Sequence, residues 1–272
     1  MRRLVLIALL LLTSPAWAAP IDDAAANAFV KIRIPFHYGA NRDAEVPTVF
    51  WAKPDSKAVL IFLPGGNGSF GLSAQPAPRP MWLLADLYQS GKPDLDLDLV
   101  YMDSEISLQG ESGDTYQRWA PRREARHIEG IQATINYYRQ KTGKPVFLLG
   151  HSNGSFSIAE FLSRAPENQT LLAGVIFSGS RNETEVKQKL SIPVLVLHHR
   201  SDPNRWTTPG NAEKFFSTLK QNNTSVTKLA WVEGGKDVPG GDPTHSGRHM
   251  YFEATPEAAI TVRSFIGQSM AN

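Results

Sequence analysis

The chain has 272 residues, no cysteine, and 28 basic against 26 acidic side chains, which gives a formal net charge of +2 at pH 7. The lack of cysteine excludes a disulfide framework, a thiol nucleophile, a thiolate zinc site and a lipid-anchored lipoprotein. The nearly balanced charge gives no indication of a nucleic-acid partner.

The first predicted element is a targeting segment. Arg2 and Arg3 form a basic start, residues 4–12 are an apolar run, and Ala16–Ala18 have the small-x-small pattern of a cleavage site. The run is short for a bilayer span, which favours a cleaved signal peptide over an uncleaved anchor. We therefore expect residues 1–18 to be a signal peptide and residues 19–272 to be one domain, periplasmic or secreted, without a stable membrane anchor.

Apolar runs alternate with helical patterns along the rest of the chain. Strands are predicted at residues 30–35, 47–52, 58–63, 97–102, 145–149, 171–177, 192–197 and 227–232, and helices from 121 to about 142 and at 155–162, 210–220 and 255–268. This succession predicts an α/β fold with a mainly parallel, doubly wound sheet flanked by helices. Asp94, Asp96 and Asp98 are interpreted as a solvated approach to a strand rather than a metal site.

The most informative motif is G-x-S-x-G at residues 150–154. A predicted strand precedes it and a predicted helix follows it. Strand, sharp turn and helix around a central serine form the nucleophile elbow. The two glycines are expected to provide space for the turn, and Ser152 is expected to be exposed at the carboxyl end of the strand as a nucleophile. The alternative is a glycine-rich turn with a solvated serine.

A serine nucleophile needs a histidine to take its proton and a carboxylate to orient that histidine. Asp202 follows the predicted strand at 192–197 and is the candidate acid, with Asp242 as its rival. His249 lies a few residues before the last helix and is the candidate base, with His245 as its rival. The chain order Ser, Asp, His is the one expected for an elbow of this kind.

Two further histidines, His198 and His199, precede Asp202. They are expected to pack beneath the acid loop rather than to do chemistry. A metal site built from them with Asp202 and His245 is a weaker alternative, because the spacing matches no standard ligand pattern. No metal and no cofactor are expected.

The negative charge of a tetrahedral intermediate needs two backbone N–H donors. One is expected from Asn153, directly after the nucleophile. The other is expected from Gly66 or Asn67, in the glycine-rich loop at residues 63–71. That loop lacks the Gly-Lys-Ser/Thr ending of a phosphate-binding loop and the third glycine of a dinucleotide-binding loop.

These motifs, in this order, resemble those of the α/β-hydrolase superfamily over nearly the whole mature chain. The segments 63–66, 198–200 and 241–243 are similar to those of a group of exported bacterial α/β hydrolases. The resemblance implies an α/β-hydrolase fold for residues 19–272. Only about fifteen residues, 178–192, separate two strands where many members of the superfamily insert a cap, so no large cap domain is expected.

The expected function is that of a serine hydrolase, carboxylesterase-like, that cleaves a small-molecule ester or related acyl bond through an acyl-enzyme. The residues of the expected triad are Ser152, His249 and Asp202. A peptidase or an acyltransferase could use the same triad. A catalytically silent binding protein on this fold is the alternative from another class, and a substrate is not implied by the fold.

Overall fold

The fold is described here from a computed structural model, which covers residues 29–66, 86–87, 95–103, 120–237 and 247–271. Its strands are β1 (Phe29–Tyr38), β2 (Arg42–Trp51), β3 (Ala58–Leu63), β4 (Leu97–Met102), β5 (Val146–His151), β6 (Gly174–Ser178), β7 (Val194–His199) and β8 (Thr227–Val232). Its longer helices are α1 (Ala125–Thr142), α2 (Asn153–Arg164), α3 (Pro209–Asn222) and α4 (Thr255–Ala271).

The strands of the described residues form one sheet in the order β1-β2-β4-β3-β5-β6-β7-β8. β2 pairs antiparallel with both β1 and β4, and all pairs from β4 to β8 are parallel. β1 lies at the edge, as its alternating pattern predicts. The predicted mainly parallel α/β sheet is therefore confirmed.

Helices cover both faces of the sheet. Successive side chains of a strand point to opposite faces, so a continuous apolar strand buries its side chains against helices on both sides. In β3, Val59 and Ile61 belong to the apolar core that the sheet forms with α1, α2 and α3 on one face. Leu60 and Phe62 of the same strand pack with α4 on the other face. The inner strands are buried throughout, which explains their continuous apolar sequences.

The connection from β6 to β7 spans only residues 179–193, all within the described part of the chain. It contains neither a helix nor a strand. A cap domain is therefore absent at this point, as expected.

The interpretation of Asp98 as solvated is wrong. Its side chain is buried, and its Oδ2 lies 2.7 Å from Lys144 Nζ. Its Oδ1 accepts a hydrogen bond from the Lys53 N–H at 2.9 Å. Asp96 binds Lys53 Nζ at 2.9 Å and Asp94 lies outside the described residues. In the sheet, β3 lies between β4 and β5, so Lys144, at the entry to β5, reaches the Asp98 carboxylate across β3. This pairing across 46 residues has no local sequence pattern.

Candidate active site

Ser152 lies in a sharp turn between β5 and α2. Its backbone has φ 54° and ψ −119°, in the left-handed half of the backbone map that residues with a Cβ rarely adopt. The Ser152 N–H donates to the carbonyl of Ser178 in the neighbouring strand β6 at 2.8 Å, which anchors the turn. Such local strain is a feature of nucleophile elbows and presents the serine at the carboxyl edge of the sheet.

The two glycines of the motif are required by space. A Cβ on Gly150 would lie 2.2 Å from the Gly154 carbonyl oxygen. A Cβ on Gly154 would lie 2.0 Å from the carbonyl oxygen of Leu63 in β3. Both distances are far below van der Waals contact, so the expectation that the glycines make room for the turn is confirmed.

Asp202 and His249 come together at the same edge of the sheet. Asp202 follows β7, and His249 lies in the turn before α4. His249 Nδ1 is 2.7 Å from Asp202 Oδ2. Asp202 also accepts hydrogen bonds from the Asn204 N–H at 2.9 Å and from Thr207 Oγ1 at 2.8 Å. The rivals Asp242 and His245 lie outside the described residues.

The carboxylate of Asp202 is held in its ionised form. Burial by itself raises the pKa of a carboxyl group, but the charge and hydrogen bond of His249 and the Asn204 N–H outweigh burial and lower the pKa of Asp202. An ionised Asp202 accepts the Nδ1–H of His249, which fixes the tautomer that leaves Nε2 to accept a proton.

The ring of His249 packs against that of His151, the residue directly before Ser152. The two ring centroids are 4.8 Å apart, at an interplanar angle of 42°. His151 Nδ1 is 3.0 Å from Ser178 Oγ, which in turn is 2.9 Å from the hydroxyl of Tyr251. Burial, followed by the nearby charge of His249, lowers the pKa of His151 well below 6.5, so its ring is neutral.

His198 and His199 pack beneath the acid loop, as expected from the sequence. His198 Nε2 is 2.9 Å from the carbonyl oxygen of Thr207, and burial lowers the pKa of His198 to about 4. His199 Nε2 is 2.8 Å from the carbonyl oxygen of Gly234. Both rings therefore support the loops around Asp202. Within the described ranges no group of three or more His, Asp or Glu side chains could hold a metal ion.

Two of the three residues expected to stabilise the oxyanion, Asn153 and Gly66, lie in the described part of the chain. Asn153 begins α2, and the first N–H groups of a helix have no acceptor within it. Gly66 lies in the loop after β3 with φ 57°, a conformation that suits glycine. The Asn153 side chain connects these positions, since its Nδ2 donates to the Gly66 carbonyl at 2.7 Å. Asn67 lies outside the described residues.

The loop that carries Gly66 runs directly past Ser152. A Cβ on Gly65 would lie 2.9 Å from Ser152 Cβ and 3.5 Å from Ser152 Oγ. The carbonyls of this loop bind Arg122, a buried side chain that the sequence analysis missed. His151 and Tyr251 were missed as well, although each lies within two residues of a predicted site residue.

None of the helices in the described segments is long and apolar enough to cross a membrane. The predicted signal peptide, residues 1–18, lies outside the described residues.

Comparison with solved structures identifies the fold. The chain aligns with a dienelactone hydrolase from Anabaena variabilis at a TM-score of 0.60 and 12% identity, over 89% of this chain and 98% of that chain. It aligns with an esterase from Pyrococcus furiosus at a TM-score of 0.55 and 12% identity, over 88% and 93% of the two chains. It also aligns with a Xanthomonas campestris serine hydrolase that is described as lacking a lid. The TM-score is 0.50 and the identity 11%, over 89% of this chain and 94% of that chain.

The sequence matches no protein-family model, and no curated protein matches it significantly. The similarity is therefore one of structure. It covers nearly the whole chain of each of the three enzymes. The chain has the α/β-hydrolase fold.

Proposed function

We propose that this chain is a serine hydrolase of esterase type, with Ser152 as nucleophile, His249 as general base and acid, and Asp202 as the carboxylate that orients His249. The observation that carries the proposal is the buried 2.7 Å contact between Asp202 Oδ2 and His249 Nδ1, beside a serine held in a strained elbow. The chain order Ser152, Asp202, His249 supports the proposal as well, because it is the order of the triad in elbow hydrolases.

In the first half of the proposed reaction, Ser152 Oγ bonds to the acyl carbon of an ester while His249 Nε2 takes the hydroxyl proton. The carbonyl oxygen becomes an oxyanion, which the N–H groups of Asn153 and of Gly66 or Asn67 stabilise. The intermediate then collapses. The bond to the alcohol oxygen breaks, and His249 returns the proton to the departing alcohol.

In the second half, water attacks the acyl-enzyme while His249 takes a proton from that water. A second tetrahedral intermediate collapses to a carboxylic acid and free Ser152, whose oxygen recovers the proton from His249. No cofactor takes part in either half. Asp202 stays ionised throughout and stabilises the positive charge that His249 carries in each half.

The surroundings of the site support a small-molecule ester as substrate. The short β6–β7 connection leaves no cap over the carboxyl edge at that point. The structural neighbours include a dienelactone hydrolase and esterases, and one is described as lacking a lid. We also propose that residues 1–18 direct export of the mature chain to the periplasm or the medium, on the strength of their basic start, apolar run and Ala16–Ala18.

Hydrolysis of a short-chain p-nitrophenyl ester tests the proposed base. We expect His249→Ala to lower kcat/KM by about 1,000-fold or more, because proton transfer to and from Ser152 is lost. His245→Ala is the matched control and should keep most of the activity. A loss of activity in His245→Ala with retention in His249→Ala would contradict the assignment of the base.

A further inference from the structure

Arg122 lies in the 3₁₀ turn Ala120–Arg123, before α1, and its side chain is buried with a relative exposure of 2%. Its Nη2 donates to three consecutive carbonyls, those of Pro64 at 2.9 Å, Gly65 at 3.4 Å and Gly66 at 3.2 Å. One guanidinium therefore fixes the backbone of the loop that passes the nucleophile.

The orientation of these carbonyls determines the orientation of the loop's N–H groups. In a planar trans peptide the N–H points opposite to the preceding carbonyl. The carbonyls of Pro64 and Gly65 point toward Arg122, so the N–H groups of Gly65 and Gly66 point away from it. Gly65 itself lies against Ser152, because a Cβ there would be 3.5 Å from Ser152 Oγ. The peptide dipoles of the loop thus have their positive ends turned away from the guanidinium.

No carboxylate among the residues that the structure describes forms an ion pair with Arg122. Its Nη1 donates to Ser157 Oγ at 2.7 Å, and Ser157 Oγ lies 2.8 Å from Nε2 of His127. Burial and the charge of Arg122 lower the pKa of His127 to about 3, so this ring is neutral. Burial lowers the pKa of Arg122 to about 9, which still leaves the guanidinium charged at neutral pH.

A second arginine supports the other side of the same loop. Arg181 Nη1 donates to Asn153 Oδ1 at 3.1 Å, and Asn153 Nδ2 donates to the Gly66 carbonyl at 2.7 Å. Unlike Arg122, Arg181 has a carboxylate partner, since its Nε is 2.8 Å from Glu183 Oε2. Of the two, only Arg181 forms an ion pair with a carboxylate of the described segments.

We propose that Arg122 is a positioning residue of the oxyanion hole, and that its buried charge stabilises the oxyanion that forms on the substrate at Ser152. The proposal rests on the function proposed above. A cation behind the loop polarises the peptide groups and adds a favourable field in a site of low dielectric, where such an interaction is strong. Because the substrate carbonyl is uncharged before attack, this effect acts on the transition state and hardly on substrate binding.

The test compares Arg122→Met and Arg122→Lys with Arg123→Gln. Arg123 occupies the same turn, but its side chain is about half exposed and pairs with Glu160 at the surface. The measurements are kcat and KM for a p-nitrophenyl ester and the inhibition constant of an arylboronic acid, which forms an anionic tetrahedral adduct on an active-site serine. Circular dichroism and thermal unfolding report on the fold of each variant.

We expect Arg122→Met to lower kcat about 100-fold, as for loss of an oxyanion donor, with KM changed by no more than about threefold. The inhibition constant of the boronic acid should rise by about the same factor as kcat falls. Arg122→Lys keeps the charge but loses the planar fork, so it should recover about tenfold of the lost kcat. Arg123→Gln should match the wild type in all three measurements.

Equal kcat in Arg122→Met and Arg123→Gln would overturn the role of Arg122, as would a loss confined to KM. If Arg122→Met fails to fold, Arg122→Gln decides, because glutamine is neutral but can still donate hydrogen bonds to the loop carbonyls. A kcat and a boronic acid affinity in Arg122→Gln equal to those of Arg123→Gln would overturn the role. Failure of the proposed function itself gives a different result, since the wild type would then neither hydrolyse the ester nor bind the boronic acid.

Discussion

Three buried histidines link the candidate site to the stability of the protein. Burial lowers the pKa of His127 to about 3 and that of His198 to about 4, and it lowers the pKa of His151 well below 6.5. Unfolding exposes these rings and returns each pKa to about 6.5. Below that pH the unfolded chain binds protons that the folded chain does not, so the free energy of unfolding falls as the pH falls from 6.5 toward 4.

Urea unfolding at pH 7, 6 and 5 tests this effect. Each buried histidine should contribute up to about 1.4 kcal/mol per pH unit once the pH is well below 6.5. His127→Gln should reduce the pH dependence by one such contribution. His37→Gln removes a histidine whose side chain is 73% exposed, and should leave the dependence unchanged. An unchanged pH dependence in His127→Gln would show that this ring is not buried in a neutral form.

At the scale of elements, the segment formed by β5, the elbow and α2 determines the position of Ser152. Its backbone strain at Ser152 is maintained by close packing of two strands and a helix. Gly154 lies against the carbonyl of Leu63 in β3, so the first turn of α2 can approach the sheet only without a side chain there. The position of Ser152 and the position of the loop after β3 are therefore set by the same contact.

Gly154→Ala should lower the free energy of unfolding by about 3 kcal/mol, because its Cβ would overlap the backbone of β3. Gly210→Ala is the matched control. Gly210 lies in the first turn of α3, and a Cβ there would meet no atom within 4 Å. Alanine at that position should leave stability unchanged or raise it by up to about 1 kcal/mol. Urea unfolding curves measure both effects, and coincident curves for the two variants would contradict the packing at Gly154.

The strands and helices were largely predictable because their signals are local. Continuous apolar runs predicted the inner strands, and the glycine spacing predicted the elbow. The residue at which α1 begins was harder to predict from the sequence. Pro121 lies in the 3₁₀ turn Ala120–Arg123, and Glu124 is extended with ψ 144°, so α1 begins at Ala125 and not at Pro121. A difference of a few residues at a helix start depends on such backbone details.

At the scale of the whole molecule, the candidate site is assembled from segments far apart in the chain. Asp202 and His249 are 47 residues apart, yet parallel strands bring both to one edge of the sheet. Topology alone predicted that meeting, since the carboxyl ends of parallel strands lie together. The contact of Arg122 with Gly66 crosses 56 residues and follows no such rule. A buried arginine resembles an exposed one in sequence, so only the fold identifies it.

Covalent labelling tests the central claim, that Ser152 is the nucleophile of a hydrolase, most directly. The protein would be treated with a fluorophosphonate and its peptides mapped by mass spectrometry. We predict a single phosphonyl adduct on the peptide that contains Ser152, lost in Ser152→Ala and retained in the control Ser69→Ala. An unlabelled wild type, under conditions that label a known serine hydrolase, or an adduct on another serine would contradict the account.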